Sequence, residues 1–261
     1  MARKKKSSSN ALEVQNAART LFANIGFMSP DYPLRCIVIT SSVPSEGKTV
    51  TSIELARAIA SSGKNVLLVE ADMRRRSLAN YLGVRSQTGI YSVLTNQVSI
   101  EQAVVHTKVN NLFLLDAEPN IPNPVDIVSS KSYKHLVHDL AELYDYVIFD
   151  TPPVGTFVEA AVLSDLADGT VLVVRPGKTK RAELQNAYDQ LKTANAHVIG
   201  TCATFCEESG SSYYYAYYTS DGKRVEKQGS TLFDSGHSDM QHAGGQGMRA
   251  PMPDDGVRSG R

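Results

Sequence analysis

The sequence predicts an α/β protein built on a mainly parallel sheet with helices on both faces. Three observations predict it. Short apolar runs and helix-period stretches alternate from about Ala11 to Ala203. The runs Val66–Val69 and Tyr146–Asp150 are apolar on successive residues, as strands covered on both faces are. The run Cys36–Thr40 leads through a polar turn into a helix pattern opening at Lys48.

The elements follow in order. Val14, Ala18, Leu21 and Ile25 recur on one face of a helix over Ala11–Ile25, which Asp31-Tyr-Pro33 ends. After the first strand, Ile53, Leu55, Ala56 and Ile59 mark the buried face of a second helix over Thr51–Ser62, with Gly63 as its stop. Val66–Val69 is the next strand, and Glu70 to Arg74 follows it. Ser77–Thr107 is less regular and reads as short helices. Leu112–Leu115 is a strand, Pro119–Pro124 a proline-rich loop and Tyr133–Leu143 a helix. Tyr146–Asp150 is a strand from which Thr151-Pro-Pro153 turns away. Ala160–Leu166 and about Arg181–Ala194 are helices, and Thr170–Arg175 and Val198–Ala203 are strands.

Domain organisation follows from composition. Residues 1–10, with Arg3-Lys-Lys-Lys6, read as a disordered basic start; such a run is either a solvated terminus or a weak contact for anionic lipid. Residues 11–206 form the folded domain. From residue 207 to 261 the chain is rich in Gly, Ser, Asp, His and Gln and cannot offset its ordering entropy, so it reads as a disordered tail. Within that tail stand Tyr213, Tyr214, Tyr215, Tyr217 and Tyr218, five tyrosines in six residues. A sticky strand edge would alternate with apolar residues, and this run does not. Exposed beside a nucleotide site, it reads as an acceptor array, each phosphate adding up to about −2 charge.

The 27 basic and 27 acidic residues cancel, so no global field favours nucleic acid. No apolar stretch is long enough to span a bilayer, and no apolar region follows the basic start as in a signal peptide. Cys36, Cys202 and Cys206 lack redox-pair or zinc spacing and read as reduced core thiols of a cytoplasmic protein.

The chemistry concentrates in Ile37-Val-Ile-Thr-Ser-Ser-Val-Pro-Ser-Glu-Gly-Lys-Thr49, a strand, turn and helix start in the order of a phosphate-binding loop. Gly47 admits close approach of the backbone, Lys48 neutralises phosphate oxygens, and Thr49 places a hydroxyl on Mg²⁺. Ser45, Glu46 and Val50 complete the candidate nucleotide-binding segment. The consensus loop begins with glycine, and Ser42 stands there. Glu70, Asp72 and Asp150 lie past strand ends, where open α/β sheets bind ligands. Asp150 is the expected acid of the Mg²⁺ shell. Glu70 or Asp72 is the candidate proton acceptor or further metal ligand. Arg74 reads as a salt-bridge partner of Asp72 or a phosphate contact. Arg175 and Lys178 read as solvated or as flanking the nucleotide base.

With these residues in view, the chain resembles the bacterial tyrosine kinases of capsular and exopolysaccharide biosynthesis, in their form as a separate cytoplasmic kinase subunit. The resemblance covers roughly Ala11–Tyr218. It rests on Thr40-Ser-Ser-Val-Pro-Ser-Glu-Gly-Lys-Thr49, on Leu67-Leu-Val-Glu-Ala-Asp-Met-Arg74 and on Ile148-Phe-Asp-Thr-Pro-Pro153. The Pro122-Asn-Pro124 loop and the tyrosine run add to it. The resemblance implies a P-loop NTPase-like fold, ATP and Mg²⁺ as cofactors, and autophosphorylation of the tail tyrosines in trans within a ring of subunits. It also implies a transmembrane activator of the polysaccharide co-polymerase type, a location at the inner face of the membrane through that partner, and a cognate tyrosine phosphatase.

Three features depart from the family pattern. Ser45 replaces a glycine and would strain the loop if its φ is positive. Glu70 replaces an aspartate, and a misplacement of about 1 Å can cost on the order of 10²-fold in rate. The E-x-x-R-x-x-R oligomer contact aligns with Asn16, Arg19 and Phe22, leaving Arg19 alone. Two further readings stand beside the kinase: a catalytically weak nucleotide-binding scaffold, and a partitioning-type positioning ATPase. The latter group carries a signature Lys where Ser42 stands and lacks a tyrosine tail.

Overall fold

The computed structural model describes the backbone of residues 2–206 and the side chains of residues 11–206. The tyrosine run and the expected disordered tail lie outside the described residues. Seven strands form one sheet: β1 (Cys36–Ser41), β2 (Val66–Glu70), β3 (Val105–His106), β4 (Leu112–Leu115), β5 (Tyr146–Asp150), β6 (Gly169–Val174) and β7 (Val198–Ala203). Their order is β3-β4-β2-β5-β1-β6-β7. All pairings are parallel except the short antiparallel edge between β3 and β4. The order makes β1 a switch point: the chain moves to β2 on one side of it and later to β6 on the other. A loop leaving the C-terminal end of such a strand opens into a crevice between diverging connections.

The helices are α1 (Ala2–Met28), α2 (Lys48–Ser61), α3 (Leu78–Leu82), α4 (Ile90–Leu94), α5 (Ile100–Ala103), α6 (Pro124–Val128), α7 (Lys131–Leu143), α8 (Glu159–Leu166) and α9 (Arg181–Thr193). They cover both faces because the central strands are apolar on both. On β1, Ile37 and Ile39 join one core with Ile53, Ala56 and Ile59 of α2, while Cys36 and Val38 join the opposite core with Leu136, Val137 and Leu140 of α7. Alternate residues thus face alternate layers. Among the described residues no helix is long and apolar enough to cross a membrane.

The differences from the sequence expectation have simple causes. α1 begins at Ala2, so Arg3–Lys6 belong to a helix and not to a disordered start. No glycine or proline interrupts residues 2–25, and Ala, Lys and Arg are good helix formers. The irregular stretch contains β3 as well as three short helices; two residues carry no readable alternation. Cys36 is buried as expected, but Cys206 is exposed and Cys202 only half-buried, so these two are not core thiols. β7 is an edge strand, with no strand on its outer side among the described residues.

Candidate active site

The candidate site lies where β1, β2 and β5 end side by side. Glu70 and Asp150 are register partners across β2 and β5, and Asp150 also pairs with Ile39 of β1. Asp150 is only 1% exposed. Its Oδ2 accepts from the Thr49 hydroxyl at 2.7 Å and its Oδ1 from the Ser52 hydroxyl at 3.0 Å. Its backbone carbonyl accepts from the N–H groups of Ala71 and Asp72 at 2.9 and 3.0 Å. One residue therefore ties the first turn of α2 to the loop that follows β2. Ser52, one helical turn after Lys48, was not among the expected site residues; the i+3 spacing behind Thr49 is its only sequence signal.

The phosphate loop is held from below by Glu46. Its side chain is fully buried and accepts from the Ser42 hydroxyl at 3.1 Å and the Val43 N–H at 3.0 Å, and it also pairs with the Thr179 hydroxyl. Glu46 is thus a loop-shaping residue as well as a member of the binding segment. This contact explains how Ser42 replaces the consensus glycine: its hydroxyl turns inward to Glu46, while its carbonyl packs where a Cβ on Gly155 would sit at 2.2 Å. Gly47 has φ 98°, and a Cβ there would approach Thr204 at 3.2 Å. Ser45 has φ 65°, the left-handed region, so the expected strain at this serine is present. Val50, in the first turn of α2, is 45% exposed.

Lys48 is 9% exposed and lies in the field of Asp150, Asp72 and Glu46. Burial lowers its pKa, and those three carboxylates oppose the shift. Among the described residues it forms no ion pair. A buried ammonium without a paired carboxylate is suited to receive an anion. Burial, followed by the Asp150 charge, raises the Glu70 pKa. Burial also raises that of Asp150, against the Thr49 hydrogen bond and the Lys48 charge.

Glu70 is placed differently from a simple metal ligand. Its Oε2 accepts from the N–H groups of Ser77 and Leu78 at 2.6 and 2.9 Å, closing the 71–77 loop. Its Oε1 is buried and has no hydrogen-bond partner among the described residues. Asp72 is half-buried; its Oδ1 accepts from the Arg75 N–H at 2.9 Å. Arg74 does not pair with Asp72: its Nε and Nη2 donate to Glu159 Oε1 at 3.0 and 2.7 Å. Arg175 stacks on Phe205 at 4.0 Å. Arg19 lines a cleft between α1 and α2 with Gln15, Glu54 and Arg57. Phe22, the aligned neighbour of Arg19, packs edge-on to Tyr146 inside the same chain.

The donor set suits a hard divalent cation. The Thr49 hydroxyl, the Asp150 carboxylate and the unpartnered Glu70 Oε1 are all oxygens. No three His, Cys, Asp or Glu side chains form a metal-holding group among the described residues. That pattern is compatible with Mg²⁺, which takes one or two carboxylates and leaves its other positions to phosphate and water.

The chain is similar to known proteins. A family model described as an AAA domain matches residues 34–198. The tyrosine-protein kinase YwqD of Bacillus subtilis is 37% identical over 203 residues, covering 78% of this chain and 86% of its own length. The chain belongs to the bacterial tyrosine kinase family. Among solved structures, the chimerical protein CapA2B2 superposes with a TM-score of 0.70 at 29% identity, covering 73% of this chain and 84% of its own. The kinase domain of the Escherichia coli tyrosine kinase ETK superposes with a TM-score of 0.69 at 25% identity, covering 75% and 78%.

Two outcomes are predicted. Ser45→Gly removes the left-handed strain and stabilises the protein by about 1 kcal/mol in urea unfolding. The Glu70 carboxyl titrates higher in the folded than in the unfolded chain. Between those two values the folded state holds the extra proton, so stability falls as pH rises. Thermal melts of the nucleotide-free protein from about pH 5 to about pH 8 will show this decline, and Glu70→Gln will reduce it.

Proposed function

We propose that this protein is an ATP-dependent protein-tyrosine autokinase that regulates capsular or exopolysaccharide assembly and export. The observation that carries the reading is the grouping of Lys48, Thr49 and Asp150, with Asp72 in the same field, at the end of the phosphate loop. Family membership and the tail tyrosines support it.

In this reading Lys48 draws charge from the β- and γ-phosphates, and the loop amides around Gly47 orient them. Thr49, Asp150 and Glu70 Oε1 would hold Mg²⁺, which supplies charge neutralisation when bound. The tyrosyl oxygen attacks the γ-phosphorus, the bond from that phosphorus to the bridging oxygen of ADP breaks, and the phenolic proton passes to Asp72. Asp72 is the better acceptor of the two acids because Glu70 Oε2 is engaged by two amides. Transfer of this kind depends on positioning and charge more than on covalent chemistry.

The acceptors are Tyr213, Tyr214, Tyr215, Tyr217 and Tyr218 of a second copy. Clustered phosphates would repel one another and loosen an assembly, in which Arg19 is the remaining family contact. A transmembrane activator, a location at the inner membrane face and a cognate phosphatase complete the proposal. The scaffold reading draws on the Glu70 substitution.

Tandem mass spectrometry of the full chain after incubation with Mg-ATP and an activator peptide tests the reading. Phosphate is expected on Tyr213–Tyr218, absent in Lys48→Met and reduced about 10²- to 10⁴-fold in rate in Asp72→Asn. Unmodified tyrosines despite bound ATP would favour the scaffold.

A further inference from the structure

The Arg74 side chain is not used by the mechanism above, yet it is fixed on two sides at the rim of the site. Glu159, only 2% exposed in its side chain, holds its Nε and Nη2 edge, at 3.0 and 2.7 Å. Phe157 covers one face of the guanidinium, with 4.8 Å from its carbon to the ring centre. The arginine side chain remains 41% exposed. Arg74 follows Asp72 by two residues on the loop closed by Glu70, and Phe157 stands on the turn after Thr151-Pro-Pro153, its N–H bonded to the Pro153 carbonyl at 2.9 Å. The pair therefore joins the two loops that flank the proton acceptor.

A planar cation held edge-on by a carboxylate, with one face on an aromatic ring, presents its other face for stacking. Its charge is already matched by Glu159, which disfavours a second anion and leaves a neutral aromatic ring as the preferred partner. The tail supplies such rings: five tyrosines fall within residues 213–218, so a reacting tyrosine has other tyrosines beside it.

We propose that Arg74 and Phe157 form a subsite for an unphosphorylated aromatic residue neighbouring the acceptor tyrosine of a second copy. This rests on the kinase reading for the identity of the acceptor. The subsite makes a tyrosine run, and not a lone tyrosine, the preferred substrate. It also makes a phosphorylated neighbour a poor one, so phosphates accumulate on spaced tyrosines before adjacent ones.

The test uses the full chain with Mg²⁺ and a non-hydrolysable ATP analogue, and reads fluorescence anisotropy of labelled peptides spanning residues 211–220. One peptide keeps Tyr215 and carries Phe at Tyr213, Tyr214, Tyr217 and Tyr218. A second carries Ala at those four positions, and a third carries phosphotyrosine there. The Phe peptide is expected to bind about five- to tenfold tighter than the Ala peptide, and the phosphotyrosine peptide no tighter than the Ala peptide. Arg74→Lys, which keeps the charge but not the plane, and Phe157→Leu should each abolish the preference. Equal affinities for the Phe and Ala peptides would overturn the proposal. So would a preference that survives both variants, or tightest binding of the phosphotyrosine peptide. Because the readout is binding, an aromatic preference without phosphate transfer in parallel ATP assays would support the subsite and count against the kinase reading alone.

Discussion

The buried carboxylate of Asp150 is the constraint on which the site depends. A carboxylate at 1% exposure is costly unless its oxygens find donors. The donors it finds are the Thr49 and Ser52 hydroxyls, both on the first turns of α2. Its own carbonyl then receives two amides of the loop after β2. Satisfying one charge thus sets the distance between the phosphate loop and the loop carrying Asp72. Lys48 is partly desolvated and, among the described residues, forms no ion pair; in the proposed function it would receive the phosphate.

Other carboxylates repeat this use at the same sheet edge. Glu46 gathers the Ser42 hydroxyl and the Val43 amide into the loop. Glu70 takes the Ser77 and Leu78 amides. Glu118 takes those of Gly89, Tyr91 and Ser92, which overcome its burial and lower its pKa. The loops around the candidate site are fastened by side-chain acceptors because loops lack ladder partners of their own. The extra methylene of Glu70 over aspartate gives the reach for this fastening. Glu70 thus anchors the loop with one oxygen and leaves the other unpartnered among the described residues.

How much of this was legible in the sequence follows from range. The apolar runs of β1, β2, β4 and β5 and the loop Ser45–Thr49 are local patterns, and they stand where expected. The strand-end acids Glu70, Asp72 and Asp150 do converge. What was not legible depends on contacts far apart in sequence. Glu159 meets Arg74 across 85 residues, and Thr179 meets Glu46 across 133. No spacing rule encodes such pairs. The short β3 and the early start of α1 were missed for the opposite reason, since neither a two-residue strand nor a basic run without apolar period carries a helix or strand signature.

In the proposed function Asp150, through Thr49, organises a Mg²⁺-dependent triphosphate site. Calorimetric titration of ATP into the full chain, with and without Mg²⁺, compares the wild type with Asp150→Asn. Mg²⁺ is expected to tighten ATP binding in the wild type by about tenfold or more and to do little in the variant. Equal tightening by Mg²⁺ in both proteins would contradict it.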